Sequence, residues 1–160
     1  MFDITLIAMG KLKEKFYISA ADEYRKRLQS YCSFHLIELP EVRLPDSPSP
    51  AEISAGLEKE ADLILSKIPK GSCLCIFTPE GKLCSSEELA AKIADIKLSG
   101  KSALTLLIGS SFGIAQKIKE KADLRISMSP MTFPHHLARV MVLEQIYRAE
   151  AIQAGSKYHK

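Results

Sequence analysis

Five short apolar runs punctuate the chain: "ITLIAM", "FHLIEL", "CLCIF", "LTLLI" and "LRISM". Each is bounded by Gly, Pro or polar residues, which predicts five strands. Between them the apolar period lengthens to that of a helix. Phe16, Ala20, Tyr24 and Leu28 form one stripe, and Ile53, Leu57, Ala61, Ile64 and Ile68 a second. Ser85-x-x-Glu88 is a capping box, in which each side chain satisfies the other residue's backbone N–H, and it opens a third helix running through Ile96. Ala115 to Ala122 offers a short fourth helix and His136 to Ala154 a long fifth. Strict alternation of strand and helix predicts an α/β class: a mostly parallel sheet flanked by helices and joined by right-handed crossovers. The four prolines of "PEVRLPDSPSP" mark a long surface loop rather than a boundary, so residues 1–160 read as one domain.

The fifth helix departs from the usual amphipathic pattern. Leu137, Val140, Met141, Leu143, Ile146, Tyr147, Ala151 and Ile152 leave it no wide polar face, and Glu144 stands at the spacing that satisfies Arg148. Such a helix needs cover on two sides. Its own sheet supplies one; a second copy in a two-fold dimer, or the rest of its own domain, supplies the other.

Composition narrows the classes. At 46% hydrophobic and 26% charged, the chain has the balance of a folded globular protein and not of a disordered one. No run approaches the roughly 20 apolar residues of a membrane span. The start, "MFDITLIAMGKLKEK", carries neither a basic leader nor a small-residue cleavage site, so a mature cytoplasmic N-terminus is expected, with no membrane partner. Cys32, Cys73, Cys75 and Cys84 fit no zinc spacing, and no metal is expected; Cys73 and Cys75 read as small core residues on one strand face. A net charge of +3 does not select nucleic acid. Lys11, Lys13, Lys15, Arg25, Lys26 and Arg27 crowd the N-terminal quarter as a phosphate-facing surface or a solvated helix, and charge alone favours the solvated helix.

In an open parallel sheet, ligands bind beyond the carboxyl ends of the strands. Three consecutive post-strand loops, "TPEGK", "GSSFG" and "SPMTFPHH", bring glycine, proline and small residues to that rim. Gly109 and Gly113 let backbone approach a ligand, but their spacing is neither that of a dinucleotide fold nor that of a phosphate loop. In the third loop Pro130 and Pro134 fix their own φ and hold Ser129 and Phe133 extended. Two readings stand for it. One is an adenine-sized pocket with Met128, Met131 and Phe133 as apolar walls; the other is a proline-bounded turn with those side chains in the core. His135 and His136 read as caps or structural hydrogen-bonding residues, since no acid stands at ligand spacing.

"GKLKEKFYISAADEYRKRL", "GKLCSSEELA", "LLIGSSFG" and above all "SMSPMTFPHHLARVMVLEQIYRAEAIQAGSKYHK" together resemble the RlmH family. These are pseudouridine N3-methyltransferases of bacterial 23S ribosomal RNA and minimal members of the SPOUT class. The likeness runs essentially the whole length in order and spacing. It implies a SPOUT-type domain with a C-terminal trefoil knot, a homodimer, S-adenosyl-L-methionine as cofactor, and 23S rRNA on the large subunit or ribosome as partner. Matched residue to residue, it implies a cofactor pocket of Phe77, Gly109, Met128, Ser129, Pro130, Met131, Thr132 and Phe133. It also implies that Tyr158, His159 and Lys160 reach RNA and the methyl acceptor, at the partner subunit's pocket. His159 is the foremost candidate for helping the acceptor lose its proton, with Tyr158 beside it and Arg139 and Lys160 as charge partners. Two positions depart from the pattern: Ser110 stands where the family usually has a second glycine, and Pro130 where it usually has a lysine. A non-catalytic RNA- or ribosome-binding module on this fold, and a tRNA methyltransferase, are the alternatives.

Overall fold

The computed structural model describes all 160 residues. The strands are β1 (Asp3–Met9), β2 (Ser33–Leu39), β3 (Ser72–Leu83), β4 (Ala103–Ile108) and β5 (Leu124–Ser127). The helices are α1 (Lys15–Leu28), α2 (Pro50–Lys67), α3 (Ser86–Leu98), α4 (Gln116–Lys121) and α5 (His135–Gln153). The strands form one sheet in the order β2-β1-β4-β3-β5, and every neighbouring pair is parallel.

Side chains alternate across a strand, so a strand buried on both faces must be apolar throughout. β4 is buried at all six positions. Ile4, Leu6, Cys73, Cys75, Leu104 and Leu106 face one core, shared with α1, α3 and α5. Ile7, Met9, Leu74, Ile76 and Leu107 face a second, shared with α2 and α4. Cys73 and Cys75 thus lie on one strand face as free, buried thiols, and burial pushes the Cys75 thiol up to about 12.

The helices start where local chemistry directs. The capping box at Ser85 and Glu88 forms, and an equivalent one at Ser49 and Glu52 opens α2 with Pro50 at its first position. In α1 the expected stripe is only half inside: Ala21 and Leu28 are buried, whereas Phe16 is 65% exposed. α5 has no exposed position from His135 to Ile152, because α1 and α3 flank it on the sheet. The second cover for this helix therefore comes in large part from its own chain. Its polar residues are paired: Glu150, 3% exposed, takes the Lys97 ammonium at 2.8 Å, and Arg148 Nε donates to Glu144 at 2.9 Å.

β3 runs on past the predicted "CLCIF". Phe77 and Lys82 both register with Ile126, so Thr78 to Gly81 bulge out of the ladder before pairing resumes. Gly81 makes this possible: a Cβ there would lie 2.5 Å from the Ile126 carbonyl carbon.

Candidate cofactor cavity and C-terminal tail

β4, β3 and β5 are neighbours in the sheet, so the segments at their carboxyl ends meet. They enclose a cavity of ≈ 280 Å³. Its lining contains all eight residues that the resemblance implied. Phe77 comes from β3 at the start of the bulge, and Gly109 from the turn after β4. Met128, Ser129, Pro130, Met131, Thr132 and Phe133 come from the link between β5 and α5.

The turn after β4 closes when the Gly113 N–H donates to the Ser110 carbonyl at 2.9 Å, with Gly113 at φ +97°. A Cβ on Gly109 would sit 2.5 Å from the Gly113 carbonyl oxygen and 2.6 Å from Ile114 Cγ1. Glycine at 109 is thus required by the loop's own closure, before any ligand arrives.

From Ser129 to Phe133 no backbone group takes part in a backbone–backbone hydrogen bond of a turn or cap. Two side-chain bonds brace the segment instead: the Ser127 hydroxyl donates to the Ser129 carbonyl at 3.2 Å, and the Met131 N–H donates to Ser129 Oγ at 3.0 Å. The prolines hold the rest extended. Met128 packs on the main core, Phe133 is half-buried and Met131 is 73% exposed. Apolar walls beside unpaired backbone polar groups fit an adenine-bearing methyl donor.

His135 also lines the cavity, as do Thr78 and Pro79. Sequence spacing gave His135 no such place, because only the fold turns the first residue of α5 toward the loops. Neither histidine caps the helix, since the cap residue is Pro134 without a side-chain bond. His135 instead stands 3.5 Å from Glu41 and packs edge-on against His136, with ring centroids 4.3 Å apart. Burial, and then the neighbouring His136, lower its pKa and keep it neutral.

Arg139 is 1% exposed. It donates to Glu38 at 2.6 Å and to the carbonyls of Met9 and Gly10 at 3.1 and 2.9 Å, tying α5 to the ends of β1 and β2. Within one chain it does not meet His159. The tail lies against α5 and α3: the Tyr158 hydroxyl donates to Glu144 at 3.0 Å, while the His159 ring lies 3.2 Å from Arg148 and 2.7 Å from Glu87. Arg148 only donates and Glu87 accepts, so His159 Nδ1 is the acceptor and Nε2 carries the proton. Both ring nitrogens are engaged in this arrangement. Burial and the Glu144 bond push the Tyr158 phenol up to about 12, so it remains a donor. Lys160 is exposed at the chain end.

In the basic N-terminal quarter, Arg25 and Arg27 pair with Asp22 and Glu23 on their own helix. Lys11, Lys13 and Lys15 are exposed beside Phe16. No group of three or more His, Cys, Asp or Glu side chains is arranged to hold a metal ion, and no helix is long and apolar enough to cross a membrane.

The chain belongs to the SPOUT methyltransferase family: the family model described as "Predicted SPOUT methyltransferase" matches residues 2–159. It is 43% identical over 160 residues to the ribosomal RNA large subunit methyltransferase H of Moorella thermoacetica, covering all of both chains. It is 44% identical over 158 residues to the protein of that name from Clostridium novyi, and 46% identical over 158 residues to a putative one from Methanococcus maripaludis, with 99% of each chain covered. Membership in this family implies a methyl donor.

Proposed function

We propose that this protein, acting over residues 1–160 as one SPOUT domain, methylates N3 of a pseudouridine in 23S rRNA of the large ribosomal subunit, with S-adenosylmethionine as donor. The observation that carries the reading is the single cavity lined by all eight implied cofactor residues, in a chain whose relatives are named ribosomal RNA large subunit methyltransferase H. Bound there, S-adenosylmethionine supplies an electrophilic methyl group.

The chain's own part is positional. The proline-held segment offers fixed backbone groups to the adenine, and Phe77 and Met128 give apolar contact. An acceptor nitrogen needs alignment and loss of its proton more than a covalent nucleophile. Tyr158, His159 and Lys160 serve the acceptor, across a homodimer interface, once His159 leaves Arg148 and Glu87. Arg139 supports this from behind, by fixing where α5 begins. A C-terminal trefoil knot belongs to the same proposal.

Mapping N3-methylpseudouridine in rRNA from cells lacking the gene tests the function. Loss of one 23S rRNA modification, restored by the wild-type gene, is expected. An unchanged rRNA map with a lost tRNA methyl group points to a tRNA enzyme, and no change in either favours a binding module.

A further inference from the structure

Behind the cofactor cavity lies a second one, of ≈ 240 Å³, and Ser110 and Ser111 line both. Its apolar lining includes Ile53, Leu57 and Phe112, and its charged groups are Glu41, Arg43 and Glu60. Glu60 is only 6% exposed. One of its oxygens accepts the Ser110 hydroxyl at 3.0 Å; the other, Oε2, has no hydrogen-bond partner. Burial raises its pKa most, against the lowering influence of Ser110 and of the Val42 backbone. A buried carboxylate with an unpaired oxygen is costly to the fold and calls for a partner. Nearby, Glu38 pairs with Arg139, Glu41 stands 3.5 Å from the neutral His135, and the exposed Arg43 has no ion-pair partner.

The two cavities together offer an apolar, backbone-lined chamber beside one that carries a buried carboxylate with a free oxygen, Glu60, and an unpaired guanidinium, Arg43. That is the charge pattern of an amino acid's ammonium and carboxylate. The first chamber has a volume of ≈ 280 Å³ and shares the Ser110–Ser111 wall with the second. We propose that the second cavity holds the amino-acid end of the methyl donor, with Glu60 receiving its α-ammonium and Arg43 its carboxylate. This rests on the cofactor reading above and assigns two residues and a subsite that it does not include. Ser110 gains a role as well, because its hydroxyl orients the Glu60 carboxyl at the shared wall.

The test is calorimetric titration of the full-length protein with S-adenosylhomocysteine and with 5′-methylthioadenosine. Both are neutral thioethers of the same nucleoside, and only the first has the amino-acid end. Wild type is expected to bind S-adenosylhomocysteine more tightly. Glu60→Gln should weaken that ligand by about 10- to 100-fold, the range for a hydrogen bond to a charged group. Arg43→Ala should weaken it about two- to fivefold, as for an exposed ion pair. Neither should change the affinity for 5′-methylthioadenosine. Equal losses for the two ligands, or no loss for either, overturn the subsite. So does a wild type that binds both equally, which leaves the cofactor reading intact; a wild type that binds neither overturns that reading as well. Should Glu60→Gln fail to fold, Arg43→Ala on its exposed loop decides the matter alone.

Discussion

Glu60 holds a charge that its surroundings oppose, and that has a thermodynamic sign. Its pKa in the folded protein is raised above the ordinary value of 4.5. The folded state thus binds the proton more tightly, so this group's contribution is most favourable below pH 4.5 and declines as pH rises through the folded pKa. Glu60→Gln keeps an oxygen for the Ser110 hydroxyl and removes the charge. Its Tm at neutral pH should exceed that of wild type, and the gap should close in melts recorded below pH 4.5; a lower Tm at neutral pH contradicts the assignment. Single residues were unevenly legible in the sequence. Phe77, Gly109 and the run from Met128 to Phe133 line one cavity, and it was a family likeness, not spacing, that grouped them. Glu60 looks like any polar position on the outer face of α2, and only the approach of Ser110, 50 residues away, reveals its burial.

Elements whose signals are local were legible, and those shaped by distant neighbours were not. Ser85 and Glu88 cap α3 through contacts three residues apart, so spacing alone identified them. Ser85→Ala should lower stability by about 1 kcal/mol in urea titrations, with donor affinity unchanged because Ser85 does not line the cofactor cavity. A drop in affinity alone would contradict that separation. β3 could not be read to its end, because the bulge at Thr78 to Gly81 is set by its register with β5. The α1 stripe missed by part of a turn: periodicity cannot tell that Phe16 lies beyond the edge of the core while Ala21 lies within it.

At the scale of the molecule, α5 is flanked by α1 and α3, yet a groove of ≈ 470 Å³ remains along it, lined in part by Tyr24, Leu89, Val140 and Met141. Ile146 is fully buried within the chain, so a charge there unfolds the protein rather than dissociating it. Met141 lies at the groove and is only half-buried, so Met141→Asp should yield folded monomer in sedimentation velocity. A wild type that is already monomeric at micromolar concentration counts against the homodimer. Deleting Tyr158 to Lys160 should leave donor affinity unchanged, since none of the three lines the cofactor cavity. Single-turnover methyl transfer on saturating ribosomes should fall by about 10²–10⁴, the usual contribution of a positioned acid or base. A truncated protein that transfers at the wild-type rate removes the tail from the chemistry. The pairing of Asp3 with Ala103 and the packing of α1 against α5 also bear on how the chain reaches its shape. β1 emerges first from the ribosome, but its inner neighbour β4 follows about 100 residues later, and such long-range parallel pairing slows folding. Until α5 arrives, one apolar face of the sheet has only part of its cover. A nascent chain therefore keeps an aggregation-prone apolar face until its last helix is released, and a stall before that point leaves the face open.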